Sequence, residues 1–210
     1  TPVRACFDFS ARQRRLFYGG FCNRSLWPML HGLPGRVRYE DDEWIEYVAS
    51  NDAYGRLASE HATPDGTVWI HDYHLLLVAA ALRKRGHAGP IGMFLHVPFP
   101  SREVVDTMPW AQHVLEAMLA ADLVGFHTSE WAANFVTTSR ALIGAGWDGR
   151  RLSYRGHVTA VGAFPLPIDA AAFRVDLDAA PAPDVDGLRA MLAGRKLVLG
   201  VDRLDYSKGI

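Results

Sequence analysis

The chain has 210 residues, 49% of them hydrophobic and 21% charged, enough for one large domain or one and a half small ones. Its 22 Lys and Arg balance 23 Asp and Glu, for a formal net charge of -1 and a sequence pI near 6.7. The basic face of a nucleic-acid or anionic-membrane binder is therefore missing, and neither partner is expected. The longest apolar run, Leu75 to Leu82, falls far short of the roughly 18 to 20 residues that span a bilayer. With no basic-then-apolar leader, and with two cysteines, Cys6 and Cys22, that match no disulfide framework or zinc motif, the expected home is the reducing cytoplasm.

The first 66 residues are the least regular. They hold an aromatic-rich stretch from Phe17 to Trp27, set among glycines and a proline as a loop would be, and a helix expected over Asp41 to Ala58. From residue 67 a strand, Thr67 to Ile70, is followed by an amphipathic helix from Leu75 to Arg85 closed by Gly86. Next come strand Ile91 to Leu95, a loop with Pro98 and Pro100, and a helical segment from near Ser101 through Ala121. Strand Leu123 to Phe126 leads to a helix over Ser129 to Ile143, ended by Gly144 and Gly146. A polar hairpin-like stretch, Arg151 to His157, precedes strand Val158 to Phe164. The Asp-, Ala- and Pro-rich segment Asp169 to Asp186 reads as an exposed linker, followed by a helix over Val185 to Ala193 and an apolar strand, Lys196 to Val201. Strands that are apolar throughout, alternating with helices, predict an α/β Rossmann-like fold whose parallel sheet is covered on both faces.

In such sheets ligands bind beyond the carboxyl ends of the strands. Those positions are polar here: His71-Asp72-Tyr73-His74, His96 to Pro100, His127-Thr128-Ser129, and Asp202 to Gly209. Three readings compete for the histidines. His71, Asp72, His74, His96 and His127 are metal-ligand types, but no HExxH or facial-triad spacing occurs. They also serve as helix caps and loop bridges, or as a crevice that hydrogen-bonds a polyhydroxylated substrate, for which Asp72 and His96 are the strongest candidates. Arg203 and Lys208 flank an expected strand-to-helix turn, where two cations suit a diphosphate. Neither GxGxxG nor GxxxxGK[ST] is present, so NAD and ATP chemistry have no fingerprint. In the stretch from Tyr18 to Pro28, Tyr18 and Trp27 are either core aromatics or a flat surface for a sugar phosphate.

The segments Ser25 to Pro28, Val68 to Leu76, Leu82 to Gly86, Gly92 to Pro100, Asp122 to Thr128 and Val201 to Gly209 resemble the trehalose-6-phosphate synthases, glycosyltransferase family 20, in order and over almost the whole chain. WIHDYHL and RLDYSKG are the most specific of them. The resemblance implies a GT-B glycosyltransferase with two Rossmann-like domains. Residues 1–184 would be an acceptor-binding domain lacking its N-terminal part, and residues 185–210 the start of a truncated nucleotide-sugar-binding domain. It implies glucose transfer from UDP-glucose or a related nucleotide-glucose to glucose 6-phosphate, with retention and with no metal or cofactor.

By the same resemblance Tyr18, Trp27 and Asp72 contact the acceptor, while His96, Arg203 and Lys208 contact the donor. Asp72, His96, Arg203 and Lys208 would carry the catalysis. Departures are the missing N-terminal Gly-rich loop, the missing remainder of the donor domain, and Pro167 where relatives carry Gly or Ser; the 210 residues alone are expected to be inactive. Glucosylglycerol-phosphate synthesis, cyclitol coupling by a pseudo-glycosyltransferase, a silent regulatory subunit and a metal hydrolase are the alternatives, and a homo-oligomer of the full-length form stays open.

Overall fold

A computed structural model of the chain describes residues 5–179 and 186–208. The chain forms two units, Thr1–Pro165 and Leu166–Ile210.

The first unit is built on a six-stranded sheet in the order β1-β2-β3-β6-β5-β4. The strands are β1 (Val68–His71), β2 (Ile91–Phe94), β3 (Leu123–Phe126), β4 (Gly146–Trp147), β5 (Arg151–Tyr154) and β6 (His157–Ala163). Strands β1, β2, β3 and β6 are parallel, as the apolar runs predicted; β5 and β4 are antiparallel. The expected parallel sheet is thus extended at one side by an antiparallel hairpin, in the stretch whose sequence reads as hairpin-like. The cause is local: Arg155 and Gly156 both take positive φ, 47° and 82°, the pair that closes a two-residue hairpin and returns the chain beside itself.

Seven helices of this unit are α1 (Ala11–Arg14), α2 (Trp27–Leu30), α3 (Asp41–His61), α4 (Val78–Lys84), α5 (Arg102–Val105), α6 (Ala111–Met118) and α7 (Ser129–Ile143). α3 carries Asp41, Asp42 and Glu43 in its first turn, where the helix dipole favours acids, and runs one turn beyond the expected end. α7 starts where Thr128 Oγ1 accepts the Trp131 N–H at 3.2 Å and stops at Gly144, whose φ of +70° ends the helix. α4 begins at Val78 rather than Leu75, because Tyr73–Leu75 form a 3-10 turn. The single helix expected from Ser101 through Ala121 is two, interrupted around Pro109, which has no N–H to donate.

The aromatic stretch read as loop-like is helical. Ser10 and Gln13 form a capping box that starts α1, and a π-helical run over Arg15–Leu26 continues it into α2. Gly20 kinks that run, with φ -84° and ψ -106°, at the point where Glu43 of α3 enters. A Cβ on Gly20 would lie 2.7 Å from Glu43 Cδ, so glycine here permits close approach instead of marking a loop. The arrangement buries Phe17, Phe21, Cys22 and Leu26 against Tyr47 and the sheet residues Ile70, Met93 and Val124.

The amino ends of β2 and β3 are fixed by one ion pair. Arg83 Nη2 meets Asp122 Oδ2 at 2.7 Å, and the same oxygen accepts the Ile91 N–H at 2.6 Å. Arg83 Nη1 donates to the carbonyls of His87 and Gly89, both at 2.8 Å. A guanidinium's planar fork suits this; an ammonium could not span it.

In the second unit, α8 (Ala170–Ala179) occupies most of the segment expected to be a linker. Asp169 Oδ1 accepts the N–H groups of Ala171 and Ala172, both at 3.0 Å, and alanines propagate the helix. α9 (Asp186–Leu192) matches the expected helix; Val185 and the rest of 180–185 lie outside the described residues. The expected strand Lys196 to Val201 is not formed. Its apolar side chains are exposed, Val198 at 92%, and among the described residues of this unit there is no strand to supply its backbone partners.

Gly55 shows how closely α3 and α4 meet, since a Cβ there would stand 2.5 Å from Ala81 Cβ. In an open helix Gly→Ala would stabilise by about 1 kcal/mol. Here Gly55→Ala is expected to destabilise the chain by about 1–3 kcal/mol through overpacking, and Ala81→Gly in the same chain should recover most of it; urea midpoints measure both.

Candidate functional site

The register of the parallel strands sets the site. His71 of β1 pairs with Phe94 of β2, Phe94 with Gly125 of β3, and Gly125 with Gly162 of β6, so the four strands end side by side. The residues that follow, Asp72, His96 and His127, come together at that edge.

Asp72 has the least comfortable backbone there: φ +73° and ψ 170°, a region that residues with a Cβ avoid. Such a conformation costs about 1–3 kcal/mol and persists where neighbours over-determine it. They do so here. The Asp72 N–H donates to Phe94 O at 2.8 Å, its carbonyl accepts the Leu75 N–H at 3.1 Å, and its Oδ1 accepts the His96 N–H at 3.2 Å. A carboxylate is thereby set between the ends of β1 and β2.

Beyond it, two buried residues of α3 hold the turn. Tyr47 Oη donates to Tyr73 O at 2.7 Å and accepts the Leu76 N–H at 3.2 Å. Asn51 Nδ2 donates to His74 O at 3.1 Å and Oδ1 accepts the Leu77 N–H at 3.0 Å. Sequence reasoning missed both, because they lie about 25 residues upstream inside an ordinary amphipathic helix. A tyrosine and an asparagine at i and i+4 are the signal that could have drawn notice: polar groups on a buried face need partners.

The histidines form a connected group. His71 Nδ1 stands 2.9 Å from His96 Nε2, and the His96 ring lies 5.7 Å from that of His127 in a T-shaped arrangement. The His96 pKa is pushed below the ordinary histidine value, by burial first, with His71 and His127 adding to the shift and Asp72 opposing it. Among the described residues no three His, Cys, Asp or Glu side chains are grouped so as to hold a metal ion.

Rings extend the site toward the π-helical run. Tyr18, 51% exposed, stacks on His74 at 5.6 Å with only 9° between the planes. Trp27 lies 5.7 Å from Tyr73, whose Oη donates to Asn23 Oδ1 at 3.2 Å. The expected acceptor residues Tyr18, Trp27 and Asp72 are thus linked through Tyr73 and His74. Cys22, buried beneath, is kept as a thiol by burial and by the charge of Asp72. His74 Nε2 is buried with no hydrogen-bond partner, and burial pushes its pKa down despite Asp72.

Arg203 and Lys208 belong to the second unit. Lys208 Nζ lies 3.6 Å from Asp202 Oδ2 at the end of a 3-10 turn, Tyr206–Lys208, and the Arg203 N–H donates to Asp202 Oδ1 at 2.7 Å. The strand expected before this turn is absent, as described above.

The family model described as Glycosyltransferase family 20 matches residues 5–210. The chain belongs to that family. Its similarity to the trehalose-6-phosphate synthase of Mycolicibacterium smegmatis is 39% identity over 100% of this chain and 43% of the relative. Among solved structures, a UDP-forming alpha,alpha-trehalose-phosphate synthase from Burkholderia xenovorans in complex with glucose-6-phosphate aligns with a TM-score of 0.86 and 29% identity, over 95% of this chain and 46% of that one. An E. coli structure bound with UDP-2-fluoro glucose aligns with a TM-score of 0.82 and 29% identity, over 88% and 41%. The chain therefore spans less than half the length of these relatives. The α/β fold class of a GT-B glycosyltransferase, expected from the strand and helix pattern together with the motifs, is the one found.

Both His74 and His96 bind a proton less readily folded than at the ordinary value of 6.5. The unfolded chain then holds more protons as pH falls through 6.5, so stability should decline from pH 7 toward pH 5. His74→Phe, which keeps a ring on Tyr18, is expected to flatten that decline, as followed by urea unfolding at several pH values.

Proposed function

We propose that the protein carrying this chain is a retaining glucosyltransferase that makes trehalose 6-phosphate from a nucleotide-glucose, UDP-glucose by preference, and glucose 6-phosphate. The observation that carries the reading is Asp72: a carboxylate held in a strained backbone at the strand edge, beside His96 and next to a ring surface that includes Tyr18 and Trp27. What the Burkholderia and E. coli relatives bind supports the choice of substrates. Tyr18 and Trp27 offer flat apolar faces with polar edges to the acceptor, and Asp72 accepts hydrogen bonds from its hydroxyls.

On the donor side His96 lies beside the transferred glucose, while Arg203 and Lys208 neutralise charge that builds on the leaving diphosphate, each contributing about 2 to 4 kcal/mol. Retention without a covalent intermediate follows if acceptor hydroxyl and leaving oxygen share one face of the sugar, the leaving oxygen taking the proton. Residues 1–184 act as the acceptor half and 185–210 open the nucleotide half. With less than half of its relatives' length, the 210-residue chain alone is inactive in this reading. The two free cysteines, Cys6 exposed and Cys22 buried, suit a reducing cytoplasm.

In the full-length protein, Asp72→Asn should lower UDP release by at least about a hundredfold while leaving the thermal midpoint within a few degrees; near-wild-type turnover would refute the role of Asp72. Arg203→Ala and Lys208→Ala should each weaken UDP binding by tenfold or more, on the order of one lost charge-assisted hydrogen bond, and leave glucose 6-phosphate binding unchanged, as calorimetry reads directly.

A further inference from the structure

The motif residues assigned above do not include His71, yet the His71 ring stands within hydrogen-bond distance of the His96 ring, Nδ1 to Nε2 at 2.9 Å. Two neutral imidazoles at this distance must meet as one N–H and one lone pair. One added proton leaves a charge-assisted bond between the rings; a second sets two N–H groups head to head and opens it. His71 is itself the last residue of β1, its backbone in register with Phe94, so its ring is delivered from the sheet and not from a mobile loop.

We propose that His71 is a positioning residue for His96: by donating its Nδ1–H to His96 Nε2 it holds His96 as the Nδ1–H tautomer in one ring orientation, and leaves that N–H as the group His96 presents to the donor sugar. The proposal rests on the placement of His96 beside the transferred glucose. Other groups of the site surround the pair. His127 approaches from the turn after β3. Asp72 sits on the His96 backbone N–H, and His74 follows two residues on with its own proton affinity reduced. The rings of Trp69 and Phe94 pack on His71 and His96, at 4.9 and 4.7 Å. Burial and the two neighbouring histidines lower the proton affinity of His96, with Asp72 opposing them.

The test uses His71→Ala and His71→Asn, the second placing an amide close to where Nδ1 was. Because His71 is exposed, neither should unfold the chain. Imidazole nitrogen-15 spectra of the 210-residue chain read the tautomer of His96 without any activity. One tautomer is expected in the wild type and in His71→Asn, and a mixture in His71→Ala. In the full-length protein His71→Ala should lower kcat/KM for the nucleotide-glucose about tenfold with the KM for glucose 6-phosphate unchanged, and His71→Asn should restore it to within about twofold. A mixed tautomer already in the wild type, or one undisturbed in His71→Ala, overturns the pairing whatever the substrates are. Lost tautomer with unchanged kcat/KM overturns the positioning role. Absence of glucosyl transfer by the wild type would instead fail the functional reading and leave the nitrogen spectra to decide the pair.

Discussion

The site depends on four parallel strands finishing at the same level. In a parallel ladder each backbone group pairs with a neighbour a fixed rise away, so once His71, Phe94, Gly125 and Gly162 are in register the chain emerges from every strand at one edge. Asp72, His96 and His127 lie far apart in sequence but have nowhere else to go. Arg83 and Asp122 secure the opposite end of the same ladder, so the stretch Leu82-Arg83-Lys84 reads as family motif for a structural reason: one guanidinium satisfies the carbonyls of the loop before β2 and the carboxylate before β3.

Holding the edge level does not aim the side chains. That is done by polar groups buried in α3, where Tyr47 and Asn51 bond four backbone groups of the turn after β1. Unpaired buried polar atoms are expensive, so the turn and the helix fix each other. The same turn carries His74 under Tyr18, and through that stack an exposed ring of the π-helical run is brought to the edge. The kink at Gly20 lets this run approach α3 closely enough, with Glu43 and Arg24 closing the gap at 2.8 Å.

Much of this was legible in the sequence, and the divide has physical causes. The strands Leu123 to Phe126 and Val158 to Phe164 announce themselves by short runs of mostly apolar residues, and the α7 boundaries by Thr128 and Gly144, because caps and turns are decided within a few residues. The stretch Phe17 to Trp27 was misread because glycine serves both open turns and tight helix contacts, and only a partner 23 residues away, Glu43, tells them apart. The segment after Asp169 was misread because alanines with one aspartate cap suffice for a helix that prolines and acids nearby disguise. Lys196 to Val201 shows the reverse: a run with strong strand preference stays irregular when no neighbouring strand pairs with it. At the site, Asp72 and His96 stood out by residue type, whereas the bond between His71 and His96 depends on register between two strands and could not be read from spacing.

Asp72 also bears on how this chain could be altered. Its φ of +73° with ψ near 170° is a conformation in which glycine alone is at ease, so any procedure that ranks substitutions by backbone comfort would choose glycine there and gain stability. The position most attractive to a stabilising redesign is the one whose carboxylate the proposed transfer would need. Under the proposed role, strain at this corner is a cost that function would keep, and a redesign for stability alone would remove the carboxylate together with the strain.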